Sequence, residues 1–153
     1  MRNAIVLAAG KGTRMKSDRS KVIHTIIDRP MLAYIIDALR AVSVQRIVVI
    51  VGYQAESIKE AFPDVEFALQ QPQLGTGHAV MQAIDVIKNS KGEVVILHGD
   101  TPLITAETIN KAIEYHKNNG NQASVITAIL DDANGYGRIV IVNDGSFLNI
   151  VEQ

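Results

Sequence analysis

Short runs of β-branched and aliphatic residues alternate along the chain with stretches whose apolar residues recur every three or four positions. Runs of the first kind predict strands, and stretches of the second kind predict helices. The predicted strands are Ala4–Leu7, Arg46–Val51, Val65–Leu69, Glu93–Leu97 and Ala123–Ile129. Because strands separated by helices need crossover connections, the pattern predicts an α/β, Rossmann-like fold with a mostly parallel sheet and helices on both faces.

The apolar residues after Pro30 fall on one helical face, and proline suits a first helical position. Gln54–Ala61 and Gly77–Ile87 show the same period and predict two further helices. Thr105 is predicted to cap the start of another helix, which ends near Asn118. These helices are expected to cover the sheet.

The pattern changes near the end of the sequence. Arg138–Val142 and Phe147–Val151 flank Asn143-Asp144-Gly145, a combination typical of a β-hairpin turn. We therefore expect an antiparallel hairpin there. Because the sequence ends at Gln153, two residues after the predicted strand Phe147–Val151, we expect residues 1–153 to be one C-terminally truncated domain; the alternative is a small α/β domain that ends in a strand.

Composition narrows the class of protein. At 153 residues and 47% apolar content, the chain is long enough to bury a single core. Lysine and arginine together number 15 against 16 acidic residues, so no broad positive field is available for nucleic acid or an anionic membrane. There are no cysteines, which excludes disulfides, thiolate zinc sites and a cysteine nucleophile. The apolar run Ala4–Ala9 is too short for a signal peptide or a membrane span, and we expect a cytoplasmic protein.

A glycine-containing loop, Ala8-Ala9-Gly10-Lys11-Gly12-Thr13-Arg14-Met15, directly follows the first predicted strand. Sheets of this kind bind ligands in the loops at the carboxyl ends of their parallel strands. Glycines let the backbone come close to a phosphate group, and the basic residues add positive charge. The loop therefore predicts a polyphosphate site.

Other interpretations of this loop fit less well. No Lys-Ser/Thr pair follows a glycine at the spacing of a Walker loop. Met15 stands where a dinucleotide fingerprint needs glycine or alanine, although Asp28 lies near the distance expected for a ribose-binding acid and keeps this as a minor alternative. A glycine-rich turn with solvated charges is the non-functional alternative. The four histidines show no convincing zinc spacing, and no zinc site is predicted.

Five segments in order carry a resemblance to a known family. They are Leu7–Met15 followed by Ser20-Lys21-Val22, then Gln70–Ala79, Leu97–Leu103, Asn134–Ile139 and Ile150–Glu152. Together they resemble the sugar nucleotidyltransferases, and within them the N-acetylglucosamine-1-phosphate uridyltransferase family, whose bifunctional members are the GlmU proteins. The segments span nearly the whole chain.

This resemblance implies a Mg²⁺-dependent transfer of UMP from UTP to N-acetylglucosamine-1-phosphate, which yields UDP-N-acetylglucosamine and pyrophosphate for cell-wall peptidoglycan synthesis. The attacking phosphate oxygen is already ionised. No nucleophilic triad or strong general base is then required, and catalysis reduces to positioning and charge neutralisation.

The resemblance also assigns residues. Arg14 and Lys21 are the catalytic cations on the phosphates, and Asp100, which follows a predicted buried strand, binds Mg²⁺; its alternative role is to cap a short turn. The expected nucleotide-binding residues are Leu7, Ala8, Ala9, Gly10, Gly12, Thr13, Gln70, Gly75 and Thr76. Gln70 is expected to read uracil because an amide both donates and accepts hydrogen bonds. The expected sugar-binding residues are Gly99, Gly137 and Glu152.

Some neighbours of these residues are assigned no specific role. Gln71 and Gln73 are expected to be ordinary loop residues, and Lys16 a solvated charge. His98 is expected to border the nucleotide, and His78 to lie near it.

Relatives of this kind carry a longer nucleotidyltransferase domain, and the bifunctional ones add a β-helix that acetylates glucosamine-1-phosphate and forms trimers. The hexapeptide repeats of that β-helix are absent from this sequence, so acetyl transfer is not expected. Residues 1–153 are expected to bind nucleotide but to turn over poorly. Molybdopterin guanylyltransferases, methylerythritol cytidylyltransferases and a non-catalytic nucleotide-sensing module are the alternatives.

Overall fold

A computed structural model describes residues 1–143 and 146–151 of the chain, apart from the side chain of Arg14. The strands are β1 (Arg2–Leu7), β2 (Thr25–Ile26), β3 (Arg29–Pro30), β4 (Arg46–Val51), β5 (Glu66–Leu69), β6 (Glu93–His98), β7 (Arg138–Ile141) and β8 (Phe147–Val151). The helices are α1 (Met31–Ala41), α2 (Ala55–Ala61), α3 (Thr76–Gln82), α4 (Ile84–Ile87) and α5 (Ala106–Asn118). Two 3₁₀ turns, Thr13–Met15 and Lys21–Ile23, follow β1.

A parallel sheet with the strand order β5-β4-β1-β6 forms the centre of the described structure. Strand β1 lies in the middle, where Leu7 is in register with Ile50 of β4 and with His98 of β6. The predicted parallel sheet is confirmed, and four of the five predicted strands occur within two residues of their predicted bounds. Their carboxyl ends therefore meet at one edge of the sheet.

Helices cover both faces of this sheet, as the sequence pattern predicts. On one face, Leu32 and Ile36 of α1 and Ile109 of α5 pack with Val49 of β4 in the larger apolar cluster. On the other face, Ala79 of α3 belongs to a smaller cluster with alternate residues of β1 and β4. Because successive side chains of a strand point to opposite faces, one apolar run such as β4 supplies both clusters.

Helix prediction succeeds at α1 and α5 and is partly wrong at α3. Thr105 caps α5 as predicted, since its side chain accepts a hydrogen bond from the Thr108 amide. The single helix predicted over Gly77–Ile87 is instead two short helices, α3 and α4, with Ala83 between them. The Ala83 amide bonds to the carbonyl of Val80, three residues back, and this tighter turn interrupts the α-helical ladder.

The strand predicted over Ala123–Ile129 is wrong. The segment has no regular secondary structure, and its apolar residues Val125, Ile126 and Ile129 are exposed. The β-branched residues that suggested a strand favour a paired, half-buried position in a sheet, and they do not by themselves stabilise an extended backbone. In the described residues no strand lies beside this segment to provide such a position.

The predicted hairpin is confirmed in its strands. Strand β7 pairs antiparallel with β8, and Ile139 lies opposite Ile150. The predicted turn residues Asp144 and Gly145 lie outside the described residues. Among the helices that the structure describes, none has both the length and the apolar character needed to cross a bilayer.

Candidate nucleotide-binding site

A cavity of about 420 Å³ opens where the carboxyl ends of the parallel strands meet. The loop after β1 forms one wall, the segment between β5 and α3 forms a second, and the end of β6 forms the third. Lining residues that the sequence predicts for the site are Leu7, Ala8, Ala9, Gly10, Gly12, Lys21, Gln70, Gly75, Thr76 and Asp100. His98, expected to border the nucleotide, also lines the cavity.

Main-chain hydrogen bonds set the position of the first wall. The amide of Ala8 donates to the carbonyl of Ile50 at 2.9 Å, and the amide of Gly99 donates to the carbonyl of Leu7 at 2.8 Å. These bonds continue the pairing of β1 with its two neighbours past the ends of the strands. The glycine loop therefore begins at the carboxyl edge of the sheet, between the ends of β4 and β6.

Gly12 permits a close approach between the loop and Lys21. Its φ of +60° lies in the left-handed region, where a side chain is strained. A Cβ at this position would also lie 2.8 Å from the Cβ of Lys21. Glycine is therefore needed at position 12 both for the backbone turn and for space beside the lysine.

Lys21 and Asp100 meet across the cavity. The Nζ of Lys21 donates to Oδ2 of Asp100 at 2.7 Å, and the two side chains are 33% and 36% exposed. Burial tends to raise the pKa of Asp100, but the hydrogen bond and the positive charge of Lys21 outweigh it and hold the pKa below its ordinary value. Asp100 is thus an ionised carboxylate at the end of β6, paired with a cation and still accessible.

The second wall centres on Gln70, whose side chain is almost completely buried although it borders the cavity. Its amide nitrogen donates to the carbonyl of Gly75 at 2.9 Å and lies 3.2 Å from Nδ1 of His78. The backbone amide of Gln70 donates to the carbonyl of Val51, which continues the pairing of β5 with β4. Gln70 is therefore held at the edge of the sheet on both its main-chain and side-chain atoms.

Gln73 joins the two walls, a role that the sequence does not indicate. Its amide nitrogen donates to the carbonyl of Ala9 at 2.6 Å. A Cβ on Gly52, just after β4, would lie 2.8 Å from that nitrogen and 3.0 Å from the same carbonyl. The sequence alone gives no reason to assign this role to Gln73 rather than to Gln71. Gly52, directly after the predicted strand Arg46–Val51, is a signal of close packing that sequence analysis could have used.

Three further predicted site residues, Thr13, Gly99 and Gly137, are not among the residues that line the cavity. Thr13 begins a 3₁₀ turn beside it, and Gly99 packs beneath the loop, where an added Cβ would lie 3.0 Å from the carbonyl of Leu7. Gly137 immediately precedes β7. The side chain of Arg14 and the whole of Glu152 lie outside the described residues.

The side chains that line the cavity suit a hard divalent cation that is bound partly by protein and partly by phosphate oxygens. Within residues 1–143 and 146–151, no three His, Cys, Asp or Glu side chains are grouped closely enough to form a protein-only metal site. Mg²⁺ is usually held by one or two carboxylates together with substrate phosphates and water. A single accessible carboxylate, Asp100, beside a glycine loop fits that arrangement.

A family model described as a MobA-like NTP transferase domain matches residues 4–145. The chain belongs to this family. A MobA-like NTP transferase domain therefore accounts for the sheet, the glycine loop and the cavity together, and the chain is a nucleotidyltransferase domain.

Individual relatives agree with this assignment. Two curated proteins named bifunctional protein GlmU match 98% of the chain, at 47% identity in Acetivibrio thermocellus and 50% in Exiguobacterium sibiricum. These matches confirm the resemblance drawn from the five segments. They cover 33% and 34% of those two proteins, so the chain spans about a third of the length of the curated relatives it matches.

A solved structure carries the same fold. HddC from Yersinia pseudotuberculosis, complexed with GMP-PN, aligns with a TM-score of 0.76 and 29% identity, over 100% of this chain and 70% of that one. The likeness therefore extends along the full length of this chain.

Proposed function

We propose that this NTP transferase domain transfers UMP from UTP to N-acetylglucosamine-1-phosphate, with Mg²⁺, and releases pyrophosphate. The observation that carries the proposal is the pairing of Lys21 with Asp100 at 2.7 Å over the glycine loop. An in-line displacement at phosphorus requires neutralisation of the negative charge on both the attacking and the leaving oxygens. A cation and a metal-binding carboxylate at one place can provide it.

In this proposal the loop holds the triphosphate. The backbone of Ala8 to Gly10, Gly12 and Thr13 surrounds the phosphates, and Lys21 and Arg14 neutralise the groups that leave as pyrophosphate. Asp100 holds the Mg²⁺, which neutralises phosphate charge when bound. Leu7 borders the nucleoside, which the cavity lining supports.

The second wall receives the base. Gln70 contacts the uracil edge, and Gly75 and Thr76 lie against the base and ribose. Their places in the lining of one cavity with Lys21 and Asp100 support this assignment. We assign Gly99, Gly137 and Glu152 to the N-acetylglucosamine moiety of the sugar phosphate.

We propose further that residues 1–153 by themselves bind nucleotide but turn over slowly. The curated relatives are about three times as long as the matched region, which supports a contribution from residues outside this stretch. Trimer formation and acetyl transfer, as expected of bifunctional relatives, belong to that longer part. A cytoplasmic location follows from the same proposal.

Calorimetric titration tests base, metal and sugar together. UTP, GTP, CTP and UDP-N-acetylglucosamine are titrated into the chain with and without Mg²⁺. We expect UTP and UDP-N-acetylglucosamine to bind most tightly, with UTP binding enhanced by Mg²⁺. Tighter binding of GTP or CTP than of UTP contradicts the uridyltransferase assignment.

Guanylyl transfer is the second candidate. The MobA-like family model and the HddC complex with GMP-PN favour it over cytidylyl transfer. In the titration it predicts GTP as the tightest ligand. A nucleotide-sensing module without catalysis predicts binding but no pyrophosphate release, even when the chain is extended to the length of its relatives.

A further inference from the structure

The side chain of Gln54 contacts the main chain immediately before Lys21. Its Oε1 accepts a hydrogen bond from the amide of Ser20 at 2.9 Å, and its Nε2 donates to the carbonyl of Asp18. Because a backbone amide can only donate and a carbonyl can only accept, these two partners also fix which way the side-chain amide of Gln54 points. The two bonds together hold the backbone on both sides of residue 19.

Gln54 itself has a fixed position relative to the sheet. It follows the end of β4 by three residues and immediately precedes α2. Its φ of +51° lies in the left-handed region, an uncommon conformation for a residue other than glycine. The amide of its neighbour Tyr53 donates to the carbonyl of Ala9 at 3.3 Å, so the same segment also contacts the start of the glycine loop. Gln54 therefore connects the central sheet to the chain before Lys21.

The stretch of chain before Ser20 is mostly exposed where the structure describes it. The amides of Met15 and Lys16 donate to carbonyls three residues back, within the same stretch. Ser20 is completely buried and extended, with a φ of −56° and a ψ of 137°. Val22 then packs in the larger apolar cluster. Lys21 thus lies between an exposed stretch and a core residue, and Gln54 holds the chain on the exposed side.

We infer that Gln54 is a positioning residue, which holds Ser20 in its extended conformation and so directs the Lys21 side chain toward the phosphates of the nucleotide. The inference rests on the proposed function, in which Lys21 neutralises the groups that leave as pyrophosphate. A lysine side chain is long and flexible, so a backbone held in place reduces the freedom that the ammonium loses when it meets a phosphate. Gln54 is not among the residues that line the cavity, and it acts through Lys21.

The inference predicts a loss of affinity that depends on the outer phosphates. UTP carries the phosphates that Lys21 neutralises, whereas UMP lacks them and has the same base and ribose. Displacement of Lys21 therefore weakens the binding of UTP more than the binding of UMP. The measurement is the UTP-to-UMP affinity ratio, obtained by calorimetry with Mg²⁺. A merely structural role for Gln54 predicts equal losses for both nucleotides, which leave the ratio unchanged.

Two variants remove the Gln54 side chain, and a third sets the scale. Lys21→Met shows how far the ratio falls when the ammonium is absent. We expect Gln54→Ala to lower the ratio by roughly fivefold, because the ammonium is present but less well placed. Gln54→Gly removes the same two bonds and suits the left-handed backbone, so it should give a loss of similar size without added strain.

Gln45 provides a matched control at the other end of the same strand. It directly precedes β4, and its side-chain amide also accepts from one backbone amide, that of Arg2, and donates to one carbonyl, that of Ser43. Gln45→Ala therefore removes the same kind of contact at the edge of the sheet opposite the cavity. It should leave the ratio unchanged.

A proline at position 20 tests whether the backbone carries the effect. The φ of Ser20 lies within the range that a proline ring imposes, and its buried hydroxyl has no hydrogen-bond partner among the described residues. The proline ring would occupy the place of the Gln54 side-chain oxygen, so the substitution is made where that side chain is removed. Ser20→Pro combined with Gln54→Ala should return the ratio to within about twofold of the wild type.

The outcomes separate the inference from the proposed function. If Lys21→Met lowers the ratio but neither Gln54 variant does, the role of Gln54 is overturned while the proposed function stands. A loss in Gln54→Ala that a folded Ser20→Pro double variant does not restore also overturns it. If the wild type binds UTP no more tightly than UMP, or if Lys21→Met keeps the wild-type ratio, the proposed role of Lys21 fails and the inference fails with it. Should the proline variant not fold, the comparison of Gln54→Gly with Gln45→Ala decides.

Discussion

The ammonium nitrogen of Lys21 lies 2.7 Å from a carboxylate oxygen of Asp100, although the two residues are 79 positions apart in the chain. Lys21 begins a 3₁₀ turn after the glycine loop, and Asp100 follows β6. Because β1 and β6 are parallel neighbours, both segments emerge at the same edge of the sheet. A triphosphate bound on the loop would therefore meet both charges.

Replacement of Lys21 by methionine should lower turnover by roughly 10²–10³, the scale of removing one preorganised donor from an active site. The side chain keeps most of its length and loses the charge and the hydrogen bond to Asp100. Pyrophosphate release is the measurement, made on the chain and on a protein extended to the length of its relatives. Lys16→Met alters an exposed lysine outside the cavity lining and serves as control. Near-normal turnover of the Lys21 variant rules out its catalytic role.

Asp100→Asn should abolish most of the Mg²⁺ dependence of UTP binding. The amide keeps the size of the side chain, but it is a much poorer ligand for a hard cation than a carboxylate. We expect the ratio of UTP affinities with and without Mg²⁺ to fall by at least about tenfold. Asp64→Asn is the control, since Asp64 pairs with Arg40 just before β5, at the other end of the strands. An unchanged ratio in the Asp100 variant means that the metal is held elsewhere.

Gly12→Ala and Gly120→Ala form a matched pair. Both glycines have a φ of +60°, so alanine costs about 1 kcal/mol of strain or more at either position. Only at Gly12 would the new Cβ lie 2.8 Å from Lys21; nothing lies within 4 Å at Gly120. We expect both variants to lose stability in thermal unfolding, and Gly12→Ala to lose more because of this added contact.

Their UTP affinities should also differ. We expect Gly12→Ala to weaken UTP binding by roughly tenfold, because the alanine displaces Lys21, while Gly120→Ala has little effect. Calorimetry makes the comparison. Equal affinities would show that the closeness of Gly12 to Lys21 has no bearing on the nucleotide.

Thr105→Ala should lower the free energy of unfolding by about 1 kcal/mol. The Thr105 hydroxyl accepts from the amide of Thr108 and so satisfies one of the free donors at the start of α5. Thr105→Ser keeps that acceptor and should be close to wild type. Chemical denaturation of the three proteins provides the measurement, and an undiminished stability of the alanine variant would remove the capping role.

The local pattern of apolar residues predicted the secondary structure correctly where burial within a single helix or strand accounts for that pattern. The β-branched run of β4 predicts a strand because a strand buried on both faces is apolar throughout. The helical face after Pro30 predicts a helix because burial along a helix repeats with a fixed period. The local pattern failed over Ala123–Ile129, where strand-forming residues have no neighbouring strand in the described structure. Strand formation depends on a partner, and a partner is not a property of the segment itself.

The candidate site divides in the same way. The glycine loop and Asp100 are recognisable from residue types placed after predicted strands. Gln73 is not, since it acts through one hydrogen bond to a residue of another segment. Its amide group is common in loops, and only geometry distinguishes it from a solvated side chain.

The amino-acid sequence alone determined the α/β class, the phosphate loop after β1 and the family resemblance. The period of the apolar residues, the placement of glycines and the order of the motifs can all be read along the chain. The folded chain decided that Lys21 touches Asp100, that Gln73 joins the two walls and that the side-chain nitrogen of Gln70 donates to the carbonyl of Gly75. These contacts depend on which strands lie side by side and on where each backbone turns. Distances between atoms far apart in the chain are set by packing, and no linear pattern encodes them directly.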